Sequence, residues 1–246
     1  MTLPIMNAGY VHDTKLPVSG KHVRYRPYLV KEEKRLLMAA ETKNKGEVIA
    51  AMRDIVEECF ENVQPRDLPL ADVEFAFLAL RASTVGEALE LNLPCSNEKC
   101  SETYAVTFNL LEVVAEGNVE APEIDLAPGY VLSLRLPNVD DSISSGNVKI
   151  SEPVPGADET LSVEDTFAII MGLMDSLKTE DEIYSMPEVS DAEKMQFLES
   201  LNSAQFRMIV EALQNMPRAA LPYKVACPSC GHVNEGKIEK LQDFFD

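Results

Sequence analysis

Two cysteine pairs constrain this chain more than any other feature of its sequence. Four residues separate Cys95 from Cys100, and two residues separate Cys227 from Cys230. Each pair lies between segments in which apolar and polar residues alternate, a pattern typical of β-strands, so each pair is expected at the tip of a hairpin. Two such turns offer four thiolates, which is the ligand set of a structural zinc site. The sequence therefore predicts a zinc-ribbon-like centre with Zn²⁺ as its structural metal.

The two cysteine pairs are far apart in the sequence, which limits how they could share one metal. Residues 101–226 lie between them, far more than the roughly 15–20 residues between the pairs of a compact ribbon. A shared metal requires most of the chain to fold back on itself. Two alternatives stay open: the pairs form independent turns with reduced thiols, or they hold a catalytic metal. A catalytic metal needs an open coordination position, which four cysteines would fill even without a contribution from His232.

The net charge is strongly negative and unevenly distributed. The 246 residues carry 22 Lys and Arg against 41 Asp and Glu, a net charge of −19. Residues 1–50 hold nine basic against five acidic side chains, whereas residues 110–200 hold four against twenty. Because affinity for nucleic acid depends largely on Lys and Arg, this balance argues against a nucleic-acid partner.

The basic residues near the N-terminus are either a solvated surface or a docking surface for an acidic partner. Charge complementarity in such a surface mainly sets specificity and association rate. The partner-binding candidates within the group are Lys31, Lys34 and Arg35. The whole group consists of Lys21, Arg24, Arg26, Lys31, Lys34 and Arg35.

Helix-like periodicity dominates the first third of the chain. Residues 30–41 are rich in helix formers and follow Pro27, while Asn44 and Asp72 stand where two further helices would begin. Cys59 falls on the apolar face of the second of these helices and is expected to be a small core residue. The first third of the chain is therefore expected to be helical.

Strand-like alternation appears after residue 87 and helical spacing returns near residue 163. A strand at 130–136 can join the sheet of the first cysteine hairpin. Met174 and Leu177 continue the apolar stripe of the helix that begins near residue 163. The predicted fold class is α+β: a mainly helical body with a small antiparallel zinc-ribbon-like β portion formed by two sequence-distant Cys hairpins. The expected parts are an N-terminal helical part (1–86), a hairpin and strand with the first cysteine pair (87–137), a connector loop (138–160), a C-terminal helical part (161–218), and the second cysteine hairpin with a short terminal helix (219–246).

The sequence lacks the motifs of the common enzyme classes. It contains no G-x-x-x-x-G-K-[ST], G-x-G-x-x-G, H-E-x-x-H or G-x-S-x-G. No run approaches the about 20 apolar residues that span a bilayer, and the start lacks the basic and apolar regions of a secretory signal. We expect an intracellular soluble protein that is not an enzyme, with no membrane partner and no small-molecule substrate. A metal hydrolase would instead show activity that chelation abolishes without unfolding.

Two stretches carry a family likeness. LPVSGKHVRYRPYLVKEEKRLLMAAET (residues 16–42) and LPLADVEFAFLALRASTVGEALEL (residues 68–91) resemble, in order and spacing, the baseplate hub subunit family of T4-like tailed phages. The likeness covers roughly the first 110 residues. None of these motifs is a catalytic or ligand-binding signature, so the likeness rests on their order and spacing.

The resemblance implies a non-enzymatic, late phage tail protein that is either a structural subunit or an assembly factor of the baseplate hub. Its partners would be other baseplate hub proteins, and it would act in the host cytoplasm during assembly or remain in the virion tail baseplate. The alternative function is a zinc-ribbon regulator that contacts nucleic acid or RNA polymerase. A nucleic-acid-binding ribbon should be clearly basic, whereas the segments around Cys95 and Cys227 mix Lys with Glu.

Overall fold

The computed structural model describes residues 9–42, 44–144 and 163–238. Within these ranges the chain forms seven α-helices and four small antiparallel sheets, which confirms the mixed α and β character. The helices are α1 (Val30–Glu41), α2 (Lys45–Cys59), α3 (Leu70–Thr84), α4 (Val139–Ser144), α5 (Val163–Leu173), α6 (Asp191–Ser200) and α7 (Ser203–Gln214). The strands are β1 (His12–Lys15), β2 (His22–Tyr25), β3 (Ala88–Pro94), β4 (Thr103–Asn109), β5 (Val114–Glu116), β6 (Glu123–Ala127), β7 (Tyr130–Leu134), β8 (Met174–Lys178), β9 (Ile183–Ser185), β10 (Arg218–Ala226) and β11 (Val233–Ile238).

The first three helices pack against a β1–β2 hairpin. α1 has the predicted bounds, and α2 ends at Cys59, which is fully buried as expected. The turn of the hairpin is fixed to the start of α3 by Asp72. This fully buried carboxylate accepts hydrogen bonds from the amides of Val18 (2.8 Å) and Ser19 (2.9 Å). The N-terminal part is thus helical with one hairpin anchored on it.

α3 connects two hydrophobic clusters because it is apolar on more than one side. Phe77 and Leu80 belong to the cluster of the N-terminal helices, whereas Leu78 and Ala82 face the strands. A helix that is apolar around most of its circumference belongs in the interior. The partners of α3 on the strand side are Leu89, Phe108, Leu110, Val113, Ala219, Leu221 and Ile238. Both cysteine hairpins therefore lie against one helix.

A separate four-stranded sheet, in the order β6-β7-β8-β9, packs with α5, α6 and α7. The expectation that strand 130–136 joins the cysteine hairpin sheet is wrong, because β7 lies between β6 and β8. The expected continuation of a helix through Met174 and Leu177 is also wrong, because these residues lie on β8. A register shift between β7 and β8 explains why Met174 and Leu177 have helix-like spacing. Leu132 pairs with Leu177 and Leu134 with Met174, so two residues along β7 correspond to three residues along β8.

The segment expected as a connector loop begins with a helix. Asn138 accepts hydrogen bonds from the amides of Asp140 (3.0 Å) and Asp141 (3.1 Å) and so caps α4. The remainder of this segment, residues 145–160, lies outside the described residues. So does the terminal helix expected near residues 241–245.

Candidate metal centre

Both cysteine pairs lie at the tips of antiparallel hairpins, as predicted. The register of β3 and β4 ends at the pair Pro94 and Thr103, so Cys95 directly follows β3 and Cys100 lies three residues before the start of β4. The register of β10 and β11 ends at Ala226 and Val233, which bracket the second cysteine pair in the same way. The strands therefore project all four thiols from hairpin ends.

Backbone hydrogen bonds close both cysteine turns. In the second turn the amide of Cys227 donates to the carbonyl of His232 (2.8 Å), and the amide of Gly231 donates to the carbonyl of Cys227 (2.9 Å). Gly231 has φ = +71°, a conformation that glycine adopts without steric cost. In the first turn the amide of Cys95 donates to the carbonyl of Glu102 (2.8 Å). These hydrogen bonds hold the backbone of both turns in a closed conformation.

The two turns meet, although residues 101–226 separate them. The sulfur atoms of Cys95, Cys100, Cys227 and Cys230 all lie within 4.8 Å of one another. Cys95 Sγ is 3.7 Å from Cys230 Sγ, and Cys100 Sγ is 3.9 Å from Cys227 Sγ. A tetrahedral centre with Zn–S bonds of about 2.3 Å has S–S separations of about 3.8 Å. The sulfur cluster therefore has the size that one tetrahedral metal ion requires.

The electrostatics of the cluster favour a bound cation. The amide of Glu102 acts to lower the pKa of Cys100, but desolvation and the neighbouring thiols outweigh it and raise this pKa to about 12. For Cys230, the amide of His232 and the neighbouring thiols lower the pKa to about 7. Cys230 can therefore ionise more readily than a free thiol, whereas the raised pKa values of Cys95 and Cys100 disfavour their ionisation. A divalent cation removes this repulsion and lets all four bind as thiolates.

Three polar side chains beside the sulfur atoms link the hairpins, and sequence reasoning missed two of them. Asn234 is 3% exposed and contacts Ser96 and Tyr104 across the hairpin interface. Asn97 Nδ2 lies 3.8 Å from Cys230 Sγ. His232, considered from sequence as a possible ligand, instead places Nε2 3.1 Å from Ser96 Oγ. The one sequence signal for Asn234 is its position in the strand alternation, which places it on the same face of β11 as Ile238.

The basic residues near the N-terminus are largely neutralised within the fold. Arg26 pairs with the buried Glu32 at 2.8 Å. Lys31 and Arg35 both contact Glu58, at 3.4 and 2.8 Å. Lys34 is exposed and has no ion pair with any described residue. Of the three partner-binding candidates, Lys34 therefore keeps its charge most available to a partner.

The fold and the cysteine cluster together define a class: an α+β protein in which distant parts of the chain meet at a four-thiol centre. A family model described as "T4 bacteriophage base plate protein" matches residues 8–246. The chain therefore belongs to the T4 bacteriophage base plate protein family, whose members work together with other baseplate proteins of the virion tail. No curated protein and no solved structure matches the chain. Among the described residues, no helix has the length and apolar character needed to cross a membrane.

Proposed function

We propose that this protein is a non-enzymatic component of the baseplate hub, either a structural subunit or an assembly factor. It acts by docking other hub proteins in the host cytoplasm during assembly, and a structural zinc ion holds its fold together. The observation that carries the proposal is the convergence of four sulfur atoms from two remote hairpins in a chain of the base plate family. Membership in the hub rests on the resemblance of residues 16–42 and 68–91.

A structural metal agrees with the ligand set better than a catalytic one. Four thiolates fill a tetrahedral shell and leave no position for an activated water molecule. The Nε2 atom of His232 lies 3.1 Å from Ser96 Oγ, so this ring nitrogen contacts a hydroxyl group and not a sulfur atom of the cluster. Zinc bound here contributes its binding free energy to folding.

The exposed face of α1 supports docking through this helix. Val30, Leu37 and Met38 are 77%, 59% and 58% exposed. Their helical spacing places them on one face together with Lys34. Exposed apolar side chains grouped on one face are typical of an interaction surface.

The ion pairs of the second hairpin disfavour the alternative function, in which the protein is a zinc-ribbon regulator that binds nucleic acid. Lys224 pairs with Glu235, and Lys237 pairs with Glu116. Lysines engaged by carboxylates contribute little to phosphate binding. Tight, salt-sensitive retention of DNA in a filter-binding assay would favour the regulator.

The first test measures zinc content and partners of the same preparation. The full chain is purified from infected cells, and its metal content is determined next to the proteins that co-purify with it. We expect one zinc ion per chain together with baseplate hub proteins. A chain with no zinc would overturn the structural metal, and a chain whose partners include no hub protein would overturn the hub assignment.

The second test addresses the docking helix. Because Lys31 and Arg35 hold Glu58, reversing their charges would disturb the fold as well as any interface. Lys34→Glu combined with Leu37→Ser changes the exposed face alone and should weaken hub association at least tenfold without changing the thermal midpoint. Lys178→Glu makes the same charge change at an exposed position of β8, outside the basic N-terminal group, and serves as the control. Hub association that survives the double substitution would contradict docking through α1.

A further inference from the structure

Asn234 occupies an unusual place for an amide side chain. It lies on β11 opposite Val225 of β10, on the face that also carries the buried Ile238. Asn234 is 3% exposed. A polar side chain in such a position costs free energy unless its hydrogen-bonding groups find partners. The position would therefore suit an apolar residue unless the amide has a specific task.

All partners of the amide come from the first cysteine hairpin. Asn234 Oδ1 accepts hydrogen bonds from the amide of Ser96 (2.8 Å) and from Ser96 Oγ (2.6 Å). Its Nδ2 donates to Tyr104 Oη (2.6 Å) and points at Cys95 Sγ from 4.0 Å. These four contacts use both acceptor and both donor positions of the amide. One side chain of the second hairpin thus holds the first hairpin at three residues.

Two further contacts reinforce this junction. His232 Nε2 lies 3.1 Å from Ser96 Oγ, the same hydroxyl that contacts Asn234 Oδ1. Asn97 Nδ2 lies 3.8 Å from Cys230 Sγ, so each hairpin directs an amide at a sulfur of the other. The hairpins are therefore joined by polar side chains as well as by thiols.

We propose that Asn234 is the positioning residue of the four-thiolate centre: it docks the two hairpins through Ser96 and Tyr104 and presents an N–H group to the Cys95 sulfur. This inference rests on the zinc site of the proposed function. The docked hairpins bring the thiols together before the metal binds, so binding does not have to order the interface. The N–H group stabilises the negative sulfur in the loaded centre, as partners of metal ligands commonly do.

The test uses the full-length chain, stripped of metal and reloaded. Co²⁺ is titrated in as a spectroscopic probe and then displaced with Zn²⁺, which gives both the ligand-field spectrum and the affinity. Asn234→Leu keeps the branched shape and the number of heavy atoms and removes all four amide contacts, so we expect a 10- to 100-fold loss of affinity and a shifted Co²⁺ spectrum. Tyr104→Phe removes one contact and should cost less. Asn92→Ala, an exposed asparagine on the same hairpin as Cys95, should change neither readout.

The possible outcomes separate this inference from the proposed function. Wild-type protein that binds no metal overturns the zinc site itself. Wild-type protein that binds metal, with an unchanged affinity and Co²⁺ spectrum in Asn234→Leu, overturns the role of Asn234 alone. If Asn234→Leu does not fold, the double variant Ser96→Ala with Tyr104→Phe decides. It removes both hydroxyl contacts of the amide, and an unchanged affinity and Co²⁺ spectrum in that variant overturn docking through Ser96 and Tyr104.

Discussion

Burial and ion pairing act in opposite directions on two buried glutamates of the N-terminal helices. Glu32 is fully buried in α1, and burial alone would raise its pKa. Hydrogen bonds from Arg26, Lys31 and the Leu29 amide outweigh burial and lower the pKa to about 2. Glu74 in α3 has a weaker set of partners, so burial dominates and raises its pKa to about 7.

Replacing Glu32 should remove stability at neutral pH. A carboxylate with a depressed pKa stabilises the fold above its unfolded pKa, and this contribution is lost as the pH falls from about 4.5 to about 2. Glu32→Gln should therefore lower the free energy of unfolding at pH 7 by roughly 2 kcal/mol after allowance for solvent screening. Urea denaturation at pH 7 and pH 3 measures the change. Glu33→Gln, its exposed neighbour, should stay within about 0.5 kcal/mol of wild type; an equal loss in both variants would contradict the role of burial.

Replacing Glu74 should have the opposite effect. The native state holds its proton up to a pKa of about 7, above the unfolded value of 4.5, so native stability falls as the pH rises through this window. Glu74→Gln can still accept the hydrogen bond from the Ala219 amide and carries no charge. Above pH 7 the variant should be more stable than wild type by up to about 3 kcal/mol.

The measurement for Glu74 is the difference in urea midpoint between wild type and variant from pH 4 to pH 9. The difference should be small at pH 4 and grow through pH 7. Glu90→Gln, on an exposed position of β3, serves as the control and should show no such trend. A constant difference across the range would mean that Glu74 titrates with the same pKa in the folded and unfolded states, which would contradict the effect of burial.

At the scale of secondary-structure elements, one arginine joins α4 to the four-stranded sheet. Arg135 follows β7 and donates two hydrogen bonds of 2.6 Å to Asp141 in α4. It also donates to the carbonyl of Gly172 near the end of α5 (2.8 Å). A planar guanidinium makes these contacts together, whereas an ammonium group cannot reproduce the paired geometry.

Arg135→Lys should therefore destabilise the fold although the charge is kept. We expect a loss of about 1–3 kcal/mol in the free energy of unfolding, because one hydrogen bond to a charged group and the carbonyl contact are lost. Arg66→Lys is the matched control, since Arg66 contacts Asp140 of the same helix at 3.5 Å and is 63% exposed. Chemical denaturation of both variants measures the difference. Equal effects would show that the paired geometry of Arg135 contributes nothing.

Elements with regular periodicity could be predicted from the sequence, and those with shifted register could not. α1 and the β3–β4 hairpin follow clean helical and alternating patterns, so their positions agree with the prediction. Met174 and Leu177 show helical spacing because of the irregularity between β7 and β8, which only the partner strand reveals. The four cysteines were predictable from their spacing. Asn234 was not, since its partners lie more than 100 positions away along the chain.

At the scale of the whole molecule, the thiol cluster joins two hairpins that also meet through Asn234 and pack together on α3. Cys95 and Cys230 are 135 positions apart, so a bound metal closes a long loop. Closing this loop on folding costs conformational entropy. Because the metal binds only the folded chain, its binding free energy offsets this cost. Both hairpins also pack on α3, so loosening the cluster should weaken the core behind it.

The stability of the whole chain should consequently depend on free zinc. Each tenfold increase in zinc above the dissociation constant should add about 1.4 kcal/mol to the free energy of unfolding, as for any ligand bound to the native state alone. Cys230→Ser should abolish this slope. Cys59→Ala should lower stability but keep the slope, because Cys59 is fully buried in the N-terminal core, apart from the cluster. Denaturation in zinc buffers, followed by amide exchange in α3, measures both effects. The cluster would not hold the fold together if the free energy of unfolding of Cys230→Ser still rose with zinc. The same conclusion would follow if the amide-exchange protection of α3 did not depend on zinc.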